Sequence, residues 1–283
     1  MVENRPFVTF LSHLVLILGV VIIAFPVWMT FVASTHDQAT MLRSPVPLLP
    51  GPYLFDNYRQ VLVEGFGRGF SGVPIWMTLM NSMVMALGVA LGKIAISIIS
   101  AFAIVYFRFP LRMWFFWAIF VTLMLPVEVR IVPTYGVVAN LGMLDSYPGL
   151  IIPLIASATA TFLFRQFFLS VPDELTEAAR VDGASPMRFF WDILLPMSRT
   201  TIAALFVIQF IYGWNQYLWP LIATTGEQMY PVVVGIRMMI AGGDSGNEWN
   251  IVMATAILAM LPPAIVVVLM QRWFVKGLVD TEK

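Results

Sequence analysis

Apolar residues in this chain fall into runs of about twenty, each long enough to cross a bilayer core as one helix. Six such segments are predicted, over Leu14–Ala33, Leu79–Tyr106, Met113–Val132, Leu150–Phe168, Ile202–Ala223 and Ile251–Met270. The polar sequence between them is concentrated in two places. One is 34–74, where "RSPVPLLPGPY" recurs in proline and is no continuous helix. The other is 169–200, between the fourth and fifth runs. The expected fold is an all-α membrane protein of six transmembrane helices in one domain, 1–283, with no internal repeat.

Composition supports this reading. Of 283 residues, 59% are hydrophobic and 11% charged, against roughly 25% charged in soluble domains. Net charge is zero, which gives no basic field for nucleic acid. The chain has no cysteine, so thiol chemistry and thiolate metal sites are excluded. His13 and His36 flank the first apolar run on opposite sides and cannot share a metal. That run is too long for a signal-peptide core and lacks a small-residue cleavage motif, so it reads as a retained first span.

Orientation follows from lysine and arginine. Six spans put both termini on one side, with Arg5, Arg108, Arg112, Arg165, Arg180, Arg188, Arg199, Arg272, Lys276 and Lys283. The other side has Arg43, Arg59, Arg68, Arg130 and Arg237. The short connection "YFRFPLRMW" carries two arginines and no acid. Both termini and the segment 169–200 are therefore expected in the cytoplasm, and 34–74 in the periplasm.

The cytoplasmic segment is built as two short helices. In "PDELTEAARVDG", Asp173 and Glu174 complement a helix N-terminus, Arg180 its C-terminus, and Gly183 is a stop signal. Ser185 then caps a second helix, Pro186 fits its first position, and "MRFFWDILL" runs to Pro196. The first helix is expected to expose Ala178 and Ala179 within a rim of Glu177, Arg180 and Asp182. Small side chains admit close backbone approach and a charged rim fixes orientation, as in a docking element. A lipid-surface helix is the alternative, but such helices favour basic polar faces and this one carries more acid.

The spacing Glu177-Ala178-Ala179, Gly183, Ile193, Leu195-Pro196 is identified as the EAA motif of the membrane subunits of binding-protein-dependent ABC importers. The resemblance covers the chain: "GWNQYLWPL" and "QRWFVKGL" look like second permease subunits of the carbohydrate-uptake type. "TLMLPVEVRIVPT", "ASATATFLFRQFF", "DGASPMRFF" and "GLVDTEK" resemble members that import glycerol-3-phosphate. The resemblance implies a type I permease fold in the bacterial inner membrane. Glu177, Ala178, Ala179, Asp182 and Gly183 would belong to a coupling helix docked in an ATPase subunit. Implied partners are a sister permease, two ATPase subunits and a periplasmic solute-binding protein. ATP and Mg would be bound by the ATPase, with no cofactor, metal or catalytic residue in this chain. The implied substrate is glycerol-3-phosphate or its diesters, with an uncharged sugar as the alternative.

Several polar residues inside the spans are candidates for the translocation path. "GVALGK" has the wrong glycine spacing for a phosphate loop and lacks its Ser or Thr. Gly88 and Gly92 read instead as a face where a helix packs closely. Lys93 is an intramembrane charge, which faces the path, snorkels to the interface, or pairs with a buried polar group that holds two helices together. Arg130 lies two residues from Glu128 and between Pro126 and Pro133, which are expected to interrupt the helix; it meets an anionic substrate or the outer binding protein, or is an interfacial charge. Gln209 and Asn215, with Tyr212, Trp214, Gln216 and Tyr217, should face the bundle, lining the path or tying two subunits together. Asn81 and Ser82 are weaker cases. A secondary transporter would show repeated halves with broken helices, and a membrane enzyme would need converging acids, bases or ligands. The sequence shows neither.

Overall fold

A computed structural model of the chain describes residues 6–64, 73–122, 127–240 and 247–279. The described residues are helical, without strands. Pro126, Arg5, Arg68 and Lys283 lie outside them, as do the side chains of Glu128 and Lys276. In chain order the helices are α1 (Pro6–Ala33), α2 (Gln38–Met41), α3 (Leu54–Arg59), α4 (Ile75–Tyr106) and α5 (Arg112–Val121). Next come α6 (Val127–Asn140), α7 (Tyr147–Ile151), α8 (Ala158–Leu169), α9 (Asp173–Val181) and α10 (Pro186–Phe189). The last are α11 (Leu195–Met197), α12 (Arg199–Trp214), α13 (Leu218–Ala223), α14 (Val232–Ile240) and α15 (Trp249–Val279).

Among the described residues, three helices are long and apolar enough to span a bilayer alone: α1, α4 and α15. Two bent helix pairs are long and apolar enough only when each is taken as one span. Tyr147–Leu154 and Ala158–Leu169 meet at 50°, and Pro186–Met197 meets α12 at 71°. Where the hydrophobic pattern predicts one helix over Leu150–Phe168, the chain breaks after Leu154. Ser157 then starts α8 by accepting the Ala160 N–H at 3.3 Å. Over Ile202–Ala223 the chain likewise forms two helices, α12 and α13. Pro220 sits in the first turn of α13, where a residue without an N–H removes no intrahelical bond. In the region of the third predicted span lie α5 and α6. Pro133 lies inside α6, so the helix is not interrupted at that proline.

The chain forms two compact units. The first comprises 1–77 and 235–261. In it, the polar segment after α1 folds back on that helix's end. Asn57 donates to the carbonyls of Ser34 (2.9 Å) and His36 (2.7 Å), and Gly51 N–H donates to Thr35 Oγ1 (2.7 Å). Asn250 at the start of α15 donates to Asn57 Oδ1 (3.0 Å), and Gln38 accepts the Trp249 N–H (2.9 Å). These bonds satisfy groups that a proline-rich stretch cannot pair within itself.

The second unit, 78–234 with 262–283, contains the candidate site. Here Gly88 and Gly92 form the expected close-packing face. A Cβ on Gly88 would lie 2.6 Å from Ile151, and one on Gly92 would lie 2.5 Å from Ile155. Gly213 of α12 approaches the Ala86 backbone of α4 so closely that a Cβ would meet it at 2.9 Å. Side chains this small bring helix backbones together where apolar burial supplies little association energy in lipid.

Candidate functional site

The segment 169–200 is two short helices about a glycine turn. Gly183 has φ +71°, a left-handed conformation that glycine adopts without a Cβ clash. Ala184 N–H bonds back to Ala179 O (2.9 Å) and Gly183 N–H to Arg180 O (3.1 Å), closing the end of α9. Ser185 Oγ accepts the Arg188 N–H (3.3 Å), with Pro186 in the first turn of α10. Past Phe189 the chain widens into a π-helical turn over Phe190–Leu194. Pro196 therefore sits within the continuing helix, which stops at Ser198 rather than at the proline. A wider turn accommodates a ring that would otherwise clash with the carbonyl four residues back.

The five coupling candidates divide by face. Glu177, Ala178, Asp182 and Gly183 are exposed, whereas Ala179 is buried. The expected exposed alanine pair is thus split, because neighbours on a helix point about 100° apart. Ala179 packs inward with Phe102, Phe168, Phe189 and Phe190, while Leu175 lies partly buried against the same cluster. This aromatic base fixes α9 to the ends of α4 and α8. Phe102 and Phe190 lie 5.0 Å apart, Tyr106 and Phe189 5.4 Å, and the Tyr106 hydroxyl donates to Phe168 O at 3.3 Å. α9 is thereby packed against the ends of α4 and α8 rather than held in a slack loop.

Among the path candidates, Lys93 is 6% exposed, and its ammonium lies 3.5 Å from the Tyr212 ring centroid. This cation–π contact joins α4 to α12. Arg130 is exposed on α6 and near enough to Lys93 for the two charges to interact. It lines a largely apolar cavity of about 490 Å³ with Pro133, Thr134, Ile152 and Pro153. Gln209 is buried in α12. Asn215 is exposed, because α12 ends at Trp214 and Asn215 only caps it. The structure brings Lys93 beside Tyr212 and within electrostatic range of Arg130, but gives Asn215 no such neighbourhood.

Asn81 and Ser82 serve the backbone. Asn81 donates to the carbonyls of Gln228 (2.7 Å) and Tyr230 (3.2 Å) and accepts from the Tyr147 hydroxyl (2.7 Å). Ser82 Oγ accepts the Val232 N–H at 2.8 Å. Asp145, unremarked in the sequence, holds the same connection. Its carboxylate accepts from Thr225 N–H (2.6 Å), the Thr225 hydroxyl (2.5 Å) and Gly226 N–H (3.0 Å). These bonds hold its carboxyl below the ordinary value, the Gly226 N–H most strongly. The partners are eighty residues away, and sequence spacing carries no signal for such a pairing. No group of three or more His, Cys, Asp or Glu suited to a metal occurs among the described residues.

A family model described as "binding-protein-dependent transport system inner membrane component" matches residues 93–280. A protein of Brucella melitensis biotype 1, named sn-glycerol-3-phosphate transport system permease protein UgpE, is 60% identical over all 283 residues of both chains. Proteins of the same name from Agrobacterium fabrum and Escherichia coli O157:H7 are each 59% identical, again over the full length of both. A solved bacterial ABC transporter involved in importing the acidic polysaccharide alginate contains a chain that superposes with a TM-score of 0.81. It covers 97% of this chain and 99% of that one, at 21% identity, which is a likeness of fold.

Proposed function

This chain belongs to the family of binding-protein-dependent transport system inner membrane components, and we propose that it carries sn-glycerol-3-phosphate, or its diesters, across the bacterial inner membrane. It is a membrane-spanning permease subunit of an ATP-driven importer, and it is not an enzyme. The substrate reading rests on one observation: near 60% identity, end to end, with permeases from three organisms named for that substrate.

The proposed assembly pairs this chain with a sister permease, two ATPase subunits and a periplasmic solute-binding protein. ATP and Mg reside in the ATPases, and this chain holds no cofactor. Both termini and α9 face the cytoplasm, a reading supported by the arginine and lysine distribution. Closure of the ATPases pushes on α9 through its exposed residues Glu177, Ala178 and Asp182, with Gly183 setting the turn. The buried Ala179 passes the displacement to the aromatic base. Lys93 and Arg130 face the translocation path, where a phosphate passing between like charges relieves their mutual repulsion. Gln209 lines the path or contacts the sister subunit.

The test is uptake by the reconstituted complex with its binding protein. Saturating sn-glycerol-3-phosphate is expected to stimulate ATP hydrolysis and to accumulate inside vesicles, while uncharged sugars do neither. Uptake of an uncharged sugar with no response to the phosphorylated polyol would overturn the substrate assignment.

A further inference from the structure

Two cavities adjoin where α4 and α5 meet the coupling helix. One, of about 500 Å³, is polar, lined by Arg108, Arg112 and Arg180 with Asp173 and Glu177. The other, of about 260 Å³, is walled by Phe102, Phe107, Pro186 and Phe189. Tyr106, Arg108, Thr176 and Arg180 line both. We infer that the pair forms a binding site for one acidic phospholipid of the cytoplasmic leaflet, its phosphate on the arginines and part of its acyl chain against the aromatic wall. The assignment to that leaflet rests on the orientation proposed above.

Three features favour an amphiphile. Guanidinium groups present forked donors that match phosphate oxygens. Arg108 and Arg112 flank a tight turn in which Leu111 has φ 62° and Arg112 Nη1 donates to Phe107 O at 3.5 Å. Beside the turn, Trp114 and Trp117 on the first turns of α5 are 74% and 54% exposed, which suits the headgroup level of a membrane, where such residues are enriched. Finally, a free phosphate would leave the adjoining apolar cavity unexplained, whereas a lipid fills both.

The two carboxylates bear on which anion fits. Three guanidinium groups against two carboxylates leave a surplus of one positive charge. That suits a singly charged phosphodiester and disfavours a multiply charged anion. Since Arg180, Asp173 and Glu177 belong to α9 while Arg108 and Arg112 belong to the α4–α5 turn, a bound lipid would bridge the coupling helix to the spans. Occupancy would therefore stiffen the connection through which ATPase movement is passed.

The experiment uses the assembled importer in nanodiscs of phosphatidylcholine, with or without phosphatidylglycerol. Native mass spectrometry is expected to find one retained phosphatidylglycerol on the wild-type complex. The Arg108→Gln/Arg112→Gln variant should lose it, and the Arg108→Lys/Arg112→Lys variant should keep it partially. ATP hydrolysis should rise several-fold with phosphatidylglycerol in the wild type and by much less in the Gln variant, with normal assembly in phosphatidylcholine. Equal retention by wild type and Gln variant overturns the site. So does displacement of the effect by inorganic phosphate, which would make it a free-anion site. Loss of ATPase subunits from the Gln variant with lipid retention unchanged would assign the surface to the ATPase instead. Lipid retention does not involve the transported solute, and labelling of a Ser185→Cys variant from each side reports orientation, so failure here is separable from failure of the transport reading.

Discussion

Gly183 has nothing within 4 Å of where a Cβ would stand, so only its backbone restricts it. A β-branched side chain at φ +71° costs on the order of 1–2 kcal/mol. Gly183→Val should therefore leave insertion intact while weakening ATPase association by about tenfold, as 1.4 kcal/mol corresponds to one decade. Pull-down of the ATPase from membranes measures this, and wild-type association would show that the turn is not required for docking. Asp145 offers a pH-dependent case. Its folded carboxyl lies below the ordinary value of 3.8, so its contribution is complete above that value and fades as pH falls through the lower folded one. Asp145→Asn tolerates the φ of +52° as well as Asp does; it removes the charge and exchanges one accepting oxygen for an NH2 donor, keeping an oxygen for the Thr225 and Gly226 amides. Hydrogen-exchange protection of the Thr225 and Gly226 amides should be higher in the wild type above pH 3.8, and the difference should vanish in stronger acid. A difference that does not change with pH would mean that charge is not what holds the connection.

At the level of elements, the contact of Gly88 with Ile151 predicts compensation. Gly88→Ala places a Cβ 2.6 Å from Ile151 Cδ1, and overpacking of this kind costs roughly 1–3 kcal/mol. Ile151→Val removes that terminal methyl at a cost of about 0.5–1.5 kcal/mol. The double variant should be more stable than the sum of the two costs, as thermal melting of the purified complex would report; strict additivity would mean the contact is not made. This face was legible in sequence because two glycines four apart are a local, periodic signal. The α9–Gly183–α10 turn was legible for the same reason, through its caps and its stop signal. The inward face of Ala179, the π-helical turn beneath Pro196 and the break between α12 and α13 were not. Each depends on how an element leans on a distant neighbour, and a hydrophobic run specifies length without bend. Likewise, Asn81 and Ser82 stood out as polar residues in an apolar segment, but the carbonyls and N–H they serve lie about 150 residues away.

For the whole molecule, the decisive question is how a charged solute crosses a bundle with so few charges. Lys93 and Arg130 interact as like charges within one unit, and Lys93 is held against Tyr212. Two roles are separable by experiment. A cation–π tie between α4 and α12 contributes about 0.5–2 kcal/mol to packing, so Lys93→Met would lower the melting temperature and the yield of assembled complex. A path residue would instead leave assembly normal and reduce uptake of the phosphorylated solute. Arg130 is separable by geometry as well as by charge. Arg130→Lys keeps the charge and loses the fork, whereas Arg130→Gln loses both. Direct phosphate contact predicts that both variants impair uptake at limiting substrate, with Lys retaining part of the activity. A purely electrostatic role predicts near-normal uptake for Lys, and for Gln a defect confined to low ionic strength, where screening beyond about 10 Å is weakest. Normal uptake by Lys93→Met and by both Arg130 variants would remove the two cations from the path, leaving recognition of the phosphate to the sister subunit and the binding protein.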